Sequence, residues 1–209
     1  MLTMLAVATE IQPGVLHWTA VHPRIKQRVG SLYVTAAATL IDPMIPDEGL
    51  DWFGGDGPPI PQRIVLSNRH HLRDSAAFEA EFGCSIHCLD AGLHEFANGP
   101  DVEAFFIGDE VAPGVVVHEM GAICPDDTAL HIDAGSGVLA FADAVIHFGG
   151  EVGFVPDSLM DDPPNARRGV IAAARELCGL DFDALAFAHG DPIPSGGKRA
   201  LEDFVARNS

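Results

Sequence analysis

Positive charge is scarce in this sequence. The 209 residues include ten arginines but only two lysines, Lys26 and Lys198, against 30 acidic residues, so the formal net charge is −18. A surface this acidic repels nucleic-acid backbones and anionic lipid. The composition therefore argues against nucleic acid and membranes as partners and is typical of a solvated acidic surface, although Arg167 and Arg168 could still meet a small anion.

Signals for export, membrane insertion and disulfide formation are also lacking. The first ten residues have no basic segment, and no apolar run approaches the roughly 20 residues of a membrane span. Four cysteines form no Cys-x-x-Cys pair and no dense framework. We therefore expect a soluble, cytoplasmic protein with buried thiols.

Two common catalytic motifs are absent. No Gly-x-Ser-x-Gly sequence is present, which argues against a serine hydrolase. The Gly-rich segment 195–199 lacks the leading glycine and the Ser/Thr of a phosphate-binding loop. Asp126-Asp127 is more typical of a turn than of a general-base pair.

The sequence favours a single domain over residues 1–209, since no shift in composition divides it. Short apolar runs bounded by turn residues predict strands at 15–18, 31–41, 85–89, 102–107, 114–118, 128–132, 138–141 and 184–188. Capping and periodicity predict helices over 76–82, 163–178 and from a Ser195 cap to about 207. The strand–helix–strand order over 64–89 indicates a sheet core with helices outside.

Polar residues collect where apolar strands end. The segment 67–75 contains two histidines, two arginines and an aspartate between an expected strand and an expected helix. The candidates at strand ends are His70, Asp74, His118, Asp143 and His189. Strand ends on one edge of a sheet share a rim, and imidazole and carboxylate ligands suit a divalent metal of the zinc, manganese or iron type. Singly, each residue also fits a structural role: Asp74 as a helix N-cap, Asp143 in a turn, and the histidines as hydrogen-bonded residues.

These positions resemble the motif set of metallo-β-lactamase-fold proteins. In that family a His-x-His-x-Asp-His motif lies between a strand and a helix, followed by a later histidine, a strand-end aspartate and a late histidine. The matching positions are His70 to Ser75, His118, Asp143 and His189, and Asp42 matches the family's early supporting aspartate. The resemblance covers nearly the whole chain and implies an α/β fold, a four-layer αββα sandwich of the metallo-β-lactamase type.

The motif is altered at two positions. With Asp74 as the anchor, Leu72 and Ser75 stand where the family has histidines. In the usual binuclear scheme, one site would use His70, Leu72, His118 and Asp143, and the other would use Asp74, Ser75, Asp143 and His189. Each site has lost one imidazole and should hold metal more weakly.

Two rearrangements of this loop could compensate. His71 could turn inward and serve as a ligand. Alternatively, Arg69 or Arg73 could stand in for one ion by neutralising Asp74 and Asp143. The sequence does not choose between them.

The resemblance implies a metal-dependent hydrolase. One or two divalent ions, zinc before manganese or iron, would activate water, and Asp74 or Asp143 would orient the water or take its proton. The expected substrate is a small ester, thioester or lactone. Because the sequence ends soon after His189, we do not expect the helical domain by which hydroxyacylglutathione hydrolases bind their substrate.

The competing hypothesis is a non-catalytic relative that keeps the scaffold and has a binding or regulatory role. Leu72 and Ser75 are its evidence. The oligomeric state is left open, with a homodimer as one alternative.

Overall fold

The computed structural model describes residues 8–209, so most of the stretch searched for a targeting signal lies outside it. The strands are, in chain order, β1 (Thr9–Gln12), β2 (Val15–Val21), β3 (Arg28–Val34), β4 (Thr39–Ile41), β5 (Arg63–Val65), β6 (Ser85–Leu89), β7 (Val102–Phe105), β8 (Glu110–Ala112), β9 (Val115–Glu119), β10 (Thr128–Ile132), β11 (Val138–Phe141), β12 (Val145–Phe148), β13 (Glu151–Phe154) and β14 (Ala184–Phe187). The α-helices are α1 (Ser75–Phe82), α2 (Pro163–Leu177) and α3 (Gly197–Arg207). None of the helices in 8–209 has the length and apolar character that crossing a membrane requires.

The strands form two large sheets and one hairpin. The first sheet has the order β1-β2-β3-β4-β5-β6-β7, and the second has the order β14-β11-β10-β9-β8. Within residues 8–209, strands β12 and β13 pair with each other, and an isolated bridge joins His147 of β12 to Gly190. Neighbours from β4 to β7 run parallel, as do β11 and β14, whereas the other pairs are antiparallel.

The two large sheets pack face to face and each is covered by helices on its outer side. Leu32, Ile41 and Val65 of the first sheet meet Val117 and Leu130 of the second in the central core. On the outer face of the first sheet, Phe78 of α1 packs among residues of β3 to β6. Residues of α2 and α3 cover the outer face of the second sheet. The layers therefore follow the order helix, sheet, sheet, helices.

Both faces of β11 and β14 are buried, which explains their unbroken apolar sequences. Val138 and Ala140 face the central core, whereas Leu139 and Phe141 face the helices. Strands covered on both faces are apolar at every position instead of alternating. These strands were predicted because no polar residue interrupts them.

The helix starts follow local capping chemistry in one case and not in another. Asp162 accepts a hydrogen bond from Asn165 N at the start of α2, and prolines occupy its first two positions. The prediction that Ser195 caps α3 is wrong, because the N-cap is Gly196, whose left-handed φ of 72° sets the direction of entry into the helix. Gly196 N donates instead to Asp183.

The predicted strand over 31–41 is divided into β3 and β4. A short 3-10 turn over Thr35–Ala37 separates them, and Ala38 adopts a φ of 47°. The turn reverses the chain, so β3 and β4 pair antiparallel. Strands β1, β8, β12 and β13 were not predicted, because each has only three or four residues and little apolar periodicity.

Two parallel strand pairs place the polar loops at one edge of the sandwich. Ile41 of β4 is in register with Val65 of β5, so Asp42 emerges beside the chain that leads to Ser67. Phe141 of β11 is in register with Phe187 of β14. The residues that follow these strands therefore meet.

Candidate metal centre

Three side chains converge where these strands end. His71, Asp143 and His189 each offer a metal-ligating atom, and these atoms lie within 4.8 Å of one another. Asp143 Oδ1 lies 3.2 Å from His71 Nε2 and 3.1 Å from His189 Nε2. Asp143 follows β11 by two residues and His189 follows β14 by two, so the parallel register of the strands places both side chains together. We call these three residues the triad.

The loop after β5 decides which of two adjacent histidines joins the triad. Asn68 accepts a hydrogen bond from His70 N and begins a single 3-10 turn over Arg69–His71. Successive side chains in such a turn point about 120° apart, because it has three residues per turn. His71 accordingly points inward and is 4% exposed, whereas His70 is exposed.

Asp42 holds the ring of His71 from the side opposite the triad. Asp42 Oδ2 lies 2.9 Å from His71 Nδ1, and Asp42 Oδ1 accepts a hydrogen bond of 2.8 Å from Ser67 N. The Ser67 hydroxyl also donates to Asp42. An acceptor at Nδ1 fixes the proton there, and this directs the lone pair of Nε2 toward Asp143 when the ring is neutral. The arrangement is that of a metal-ligating histidine backed by a carboxylate.

The carboxylates around His71 control its charge. Burial alone would lower the pKa of His71, but the charges of Asp42 and Asp143 outweigh it and raise the pKa to about 9. Burial would raise the pKa of Asp143, yet His71 and the hydrogen bond from His189 hold it well below its usual range. The site therefore favours positive charge between the two carboxylates.

Asp143 is held in place by two residues that the sequence did not indicate. Asn68 Nδ2 donates to Asp143 Oδ2 at 2.9 Å. Asp127 accepts hydrogen bonds from Asp143 N at 3.0 Å and Ala144 N at 3.1 Å, and so fixes the backbone after β11. Burial and the charge of Asp143 raise the pKa of Asp127 to about 7. The only sequence signal for Asp127 was its position in Asp126-Asp127, directly before an apolar strand.

Arg73 places a fixed positive charge beside the triad. Its guanidinium donates to the carbonyl oxygens of Gly30 and Asp42 in the first sheet. It also donates to Ala188, at the end of the second sheet, over 3.5 Å. Arg73 thus links the two sheets at Asp42 itself and at Ala188, the residue before His189.

Arg69 is engaged elsewhere. Its guanidinium pairs with the buried carboxylate of Asp126, and its backbone N–H donates to the same carboxylate at 2.7 Å. Of the two arginines considered as substitutes for an ion, Arg73 is the one whose electrostatic partners include both Asp42 and Asp143.

Asp74 and His70 border the site without joining the triad. Asp74 Oδ2 accepts a hydrogen bond of 2.8 Å from Ile45 N, and its side chain makes no cap to α1. Both residues line the cleft that opens above the triad. Leu72 packs with the apolar cluster beneath α1, and Ser75 is fully buried.

His118 lies on the outer face of the second sheet. It pairs with Ala129 and faces the helices on the outer side of the second sheet. Its ring is 6.3 Å from that of His131, which bonds to the carbonyl of Asp181, before the start of β14. Through Ala129 and Phe141, His118 is in register with Phe187 near the end of β14 that precedes His189, but its side chain lies on the outer face of the sheet, so the structure does not bring His118 to the triad.

The triad lies in the wall of a cleft of about 600 Å³. The loop 22–27 between β2 and β3 forms one side, and the segment 95–100 forms the other. Cavities of this size accommodate small molecules. Polar and apolar side chains both line it: His22, Pro23, Arg24, Ile25, Val29, Met44, Arg69, His70, His71, Leu72, Arg73, Asp74, Glu95, Phe96, Gly99, Pro100, Asp143 and His189.

The triad fits a divalent cation. Two imidazole nitrogens and one carboxylate oxygen are a donor set found with zinc, manganese and iron, and three protein ligands leave positions open for water or substrate. The electrostatic environment that raises the pKa of His71 equally favours a metal cation in place of its Nε2 proton. The donor set and the local charge therefore agree.

Comparison with solved structures identifies the fold. The first B3 metallo-β-lactamase with an active-site glutamic acid is 12% identical, with a TM-score of 0.65, 98% of this chain covered and 88% of that chain. A metallo-β-lactamase family protein from Thermus thermophilus is 16% identical, with a TM-score of 0.66 and 95% and 80% covered. A mutant flavo di-iron protein from Thermotoga maritima is 17% identical, with a TM-score of 0.60, 93% of this chain covered and 59% of that chain.

No family model and no curated protein matches the sequence. At these identities the structural likeness shows the fold alone. The chain has the metallo-β-lactamase fold, which confirms the predicted four-layer sandwich and the resemblance on which the prediction rested.

Proposed function

We propose that this protein is a metal-dependent hydrolase in which the triad holds one divalent ion. The observation that carries the proposal is the convergence of His71, Asp143 and His189, with Asp42 behind the ring of His71. The fold supports it, because a candidate metal site lies at the edge of a metallo-β-lactamase sandwich.

Zinc, manganese and iron all suit the donor set, and zinc remains our first expectation. When bound, such an ion supplies a Lewis acid and a water molecule of lowered pKa. We expect a single ion, because Arg73 already places a positive charge near Asp42 and Asp143.

The chain's own residues would position the reaction and move its proton. Both oxygens of Asp143 are engaged, Oδ1 with the two histidines of the triad and Oδ2 with Asn68. Asp74 also borders the cleft, and only its Oδ2 has a hydrogen-bond partner among the described residues. Asp74 is therefore the carboxylate we assign to accept a proton from the attacking water.

The proposed substrate is a small ester, thioester or lactone. The cleft volume of about 600 Å³ is of the size that holds such molecules. The family resemblance supplies the reaction class, and one fold hosts many reactions.

Metal analysis of the protein purified without chelator tests the proposal. We expect about one ion per chain after addition of Zn²⁺ or Mn²⁺, measured by plasma mass spectrometry. His71→Ala and Asp143→Ala should each weaken metal binding by more than about tenfold, because each removes a ligand.

His118→Ala and His131→Ala are the matched controls, since both replace histidines on the outer face of the second sheet. Their metal content should equal that of the unmodified protein. Fewer than about 0.2 ions per chain in the unmodified protein would contradict the proposal. Equal losses in all four variants would mean that the ligand set is wrong.

One observation favours a second candidate function, that of a non-catalytic relative with a binding or regulatory role. Asp143 already has three hydrogen-bonding neighbours, and a protonated His71 neutralises the charge that an ion would neutralise. If the proton on His71 keeps metal out of the triad, the cleft can still bind another ligand. The same metal analysis separates the two functions.

A further inference from the structure

The cleft contains three of the few cationic side chains of this acidic molecule. The chain has a net charge of −18 and only 12 arginines and lysines, yet Arg24, Arg69 and Arg73 all line the cleft. Three acidic residues share the lining: Asp143 belongs to the triad, Asp74 accepts from Ile45 N, and Glu95 stands on the segment 95–100.

Arg24 is the cleft arginine that is free to bind a ligand. Arg69 is paired with Asp126, and Arg73 donates to main-chain carbonyl oxygens. Within residues 8–209, no carboxylate forms an ion pair with Arg24 and its guanidinium donates no hydrogen bond. Arg24 is exposed and stands on the loop 22–27 at one side of the cleft.

The loop that carries Arg24 is held by its own hydrogen bonds. His22 N donates to Gln27 O at 2.8 Å, and Lys26 N donates to His22 O at 2.9 Å. His22 Nδ1 accepts from Arg24 N at 3.3 Å and from Ile25 N at 3.4 Å. The proton of the neutral ring therefore lies on Nε2, which becomes a donor beside Arg24.

The charge around His22 agrees with a site for an anion. Burial, followed by the charges of Arg73 and Arg24, lowers the pKa of His22, and the charge of Asp74 opposes this shift. The two guanidinium groups near this ring would also attract a negative ligand.

Apolar side chains complete the same cleft. Ile25 is 49% exposed, and it lines the cleft together with Met44, Leu72 and Phe96. An exposed isoleucine beside a free arginine offers one surface for an apolar body and another for a charge.

We propose that the substrate is an organic monoanion, with its carboxylate bound by Arg24 and the Nε2–H of His22 and its apolar body against Ile25 and Phe96. This specificity rests on the proposed function, which places the hydrolysed group at the triad. A planar guanidinium matches a carboxylate with two parallel hydrogen bonds. Polyphosphates fit poorly, because one free arginine cannot offset several charges on a protein of net charge −18.

Titration calorimetry with hexanoate and its neutral analogue hexanamide tests this inference on the full chain. Arg24→Gln should weaken hexanoate binding by about tenfold or more, since it removes a hydrogen bond to a charged group. The same variant should change hexanamide binding by less than about twofold, since the apolar contacts remain.

Lys26→Gln is the matched control, because it removes one positive charge from the same loop at a residue that does not line the cleft. It should leave hexanoate binding within about twofold of the unmodified protein. Equal weakening by Arg24→Gln and Lys26→Gln, or equal weakening of both ligands by Arg24→Gln, would overturn the inference.

Metal content measured on the same samples separates this inference from the proposed function. A protein that binds no metal but loses hexanoate on Arg24→Gln contradicts the hydrolase and supports the anion site. A protein that binds metal and retains hexanoate in Arg24→Gln contradicts only the anion site.

Discussion

His71 determines the character of the site because both of its ring nitrogens face carboxylates. Nδ1 lies 2.9 Å from Asp42 and Nε2 lies 3.2 Å from Asp143. Without a metal the ring is held as a cation, whereas with a metal the proton on Nε2 must leave. The arrangement uses His71, which is one residue after His70, the histidine that the family motif matches.

His17 shows the opposite behaviour of a buried histidine. It lies on β2 with 5% exposure, and its Nε2 is buried with no hydrogen-bond partner among the described residues. Burial lowers its pKa to about 4, and the charge of Asp191 only partly opposes this. Between about pH 4 and pH 6.5, His17 is therefore neutral in the folded protein but protonated in the unfolded chain.

This predicts a specific loss of stability in acid. As the pH falls from 7.5 to 4.5, the unfolded state takes up a proton near pH 6.5 that His17 in the folded state does not bind until about pH 4. The free energy of unfolding should therefore fall by about 2.5 kcal/mol more in the unmodified protein than in His17→Gln. Urea unfolding at the two pH values measures the difference.

His94→Gln is the control for this experiment, because it removes an exposed histidine. Its acid sensitivity should match that of the unmodified protein. If His17→Gln is equally sensitive to acid, His17 does not stay neutral when buried.

At the scale of elements, the site depends on how closely the two sheets approach. Gly30 N on β3 donates to Ala188 O at the end of β14 over 2.8 Å, and Arg73 binds Gly30 from its other side. Ala188 immediately precedes His189. The contact between β3 and β14 therefore helps to fix the third member of the triad.

Gly30 is required at this contact for steric reasons. A Cβ atom at Gly30 would lie 2.3 Å from the carbonyl oxygen of Phe187, which is backbone and cannot rotate away. Gly30→Ala should therefore destabilise the protein by about 3 kcal/mol, measured by urea unfolding at neutral pH. Gly153→Ala is the matched control, since a Cβ on that strand residue meets nothing within 4 Å and should change stability by less than about 0.5 kcal/mol. Similar effects of the two substitutions would show that β3 and β14 can move apart at Gly30 without loss of stability.

At the scale of the whole molecule, charge is distributed unevenly. The net charge of −18 makes like charges in the folded protein repel one another, whereas the lining of the cleft contains as many arginines as acidic residues, together with four histidines. The overall field discourages highly charged anionic ligands, and in the cleft the proposed anion site depends on Arg24.

Self-repulsion predicts that salt stabilises the protein. Raising NaCl from 0.01 M to 1 M shortens the Debye length from about 30 Å to about 3 Å. At pH 7.5 the Tm should rise by about 3 °C or more, which corresponds to about 1 kcal/mol for a chain of this size. Near pH 4.6, where the sequence has its isoelectric point, the same addition should have little effect. A Tm at pH 7.5 that is unchanged or lowered by salt would contradict this explanation.

Elements that are apolar on both faces could be predicted from the sequence, and short or polar elements could not. Strands β11 and β14 have continuous apolar residues and follow the predicted ranges within one residue. Strands β12 and β13 contain His147, Glu151 and a glycine in only eight residues, and only their pairing with each other defines them. Local patterns reveal burial on both faces, whereas the pairing of a short hairpin depends on tertiary contacts.

The sequence alone indicated which loops supply the triad and Asp42. Asp42, Asp143 and His189 follow apolar strands, and parallel strands bring their carboxyl ends to one edge whatever the details of packing. The loop between β5 and α1 could also be recognised as a candidate site, because its polar residues stand between a strand and a helix.

Only the tertiary structure decided which side chains of those loops meet. The direction of one 3-10 turn selects His71 over His70, and the face of β9 directs His118 toward the helices. The support from Asn68 and Asp127 depends on contacts across 75 and 16 residues of chain. A sequence records the order of such residues, but the directions of their side chains are set by backbone dihedrals and strand registers that exist only once the sheets have packed.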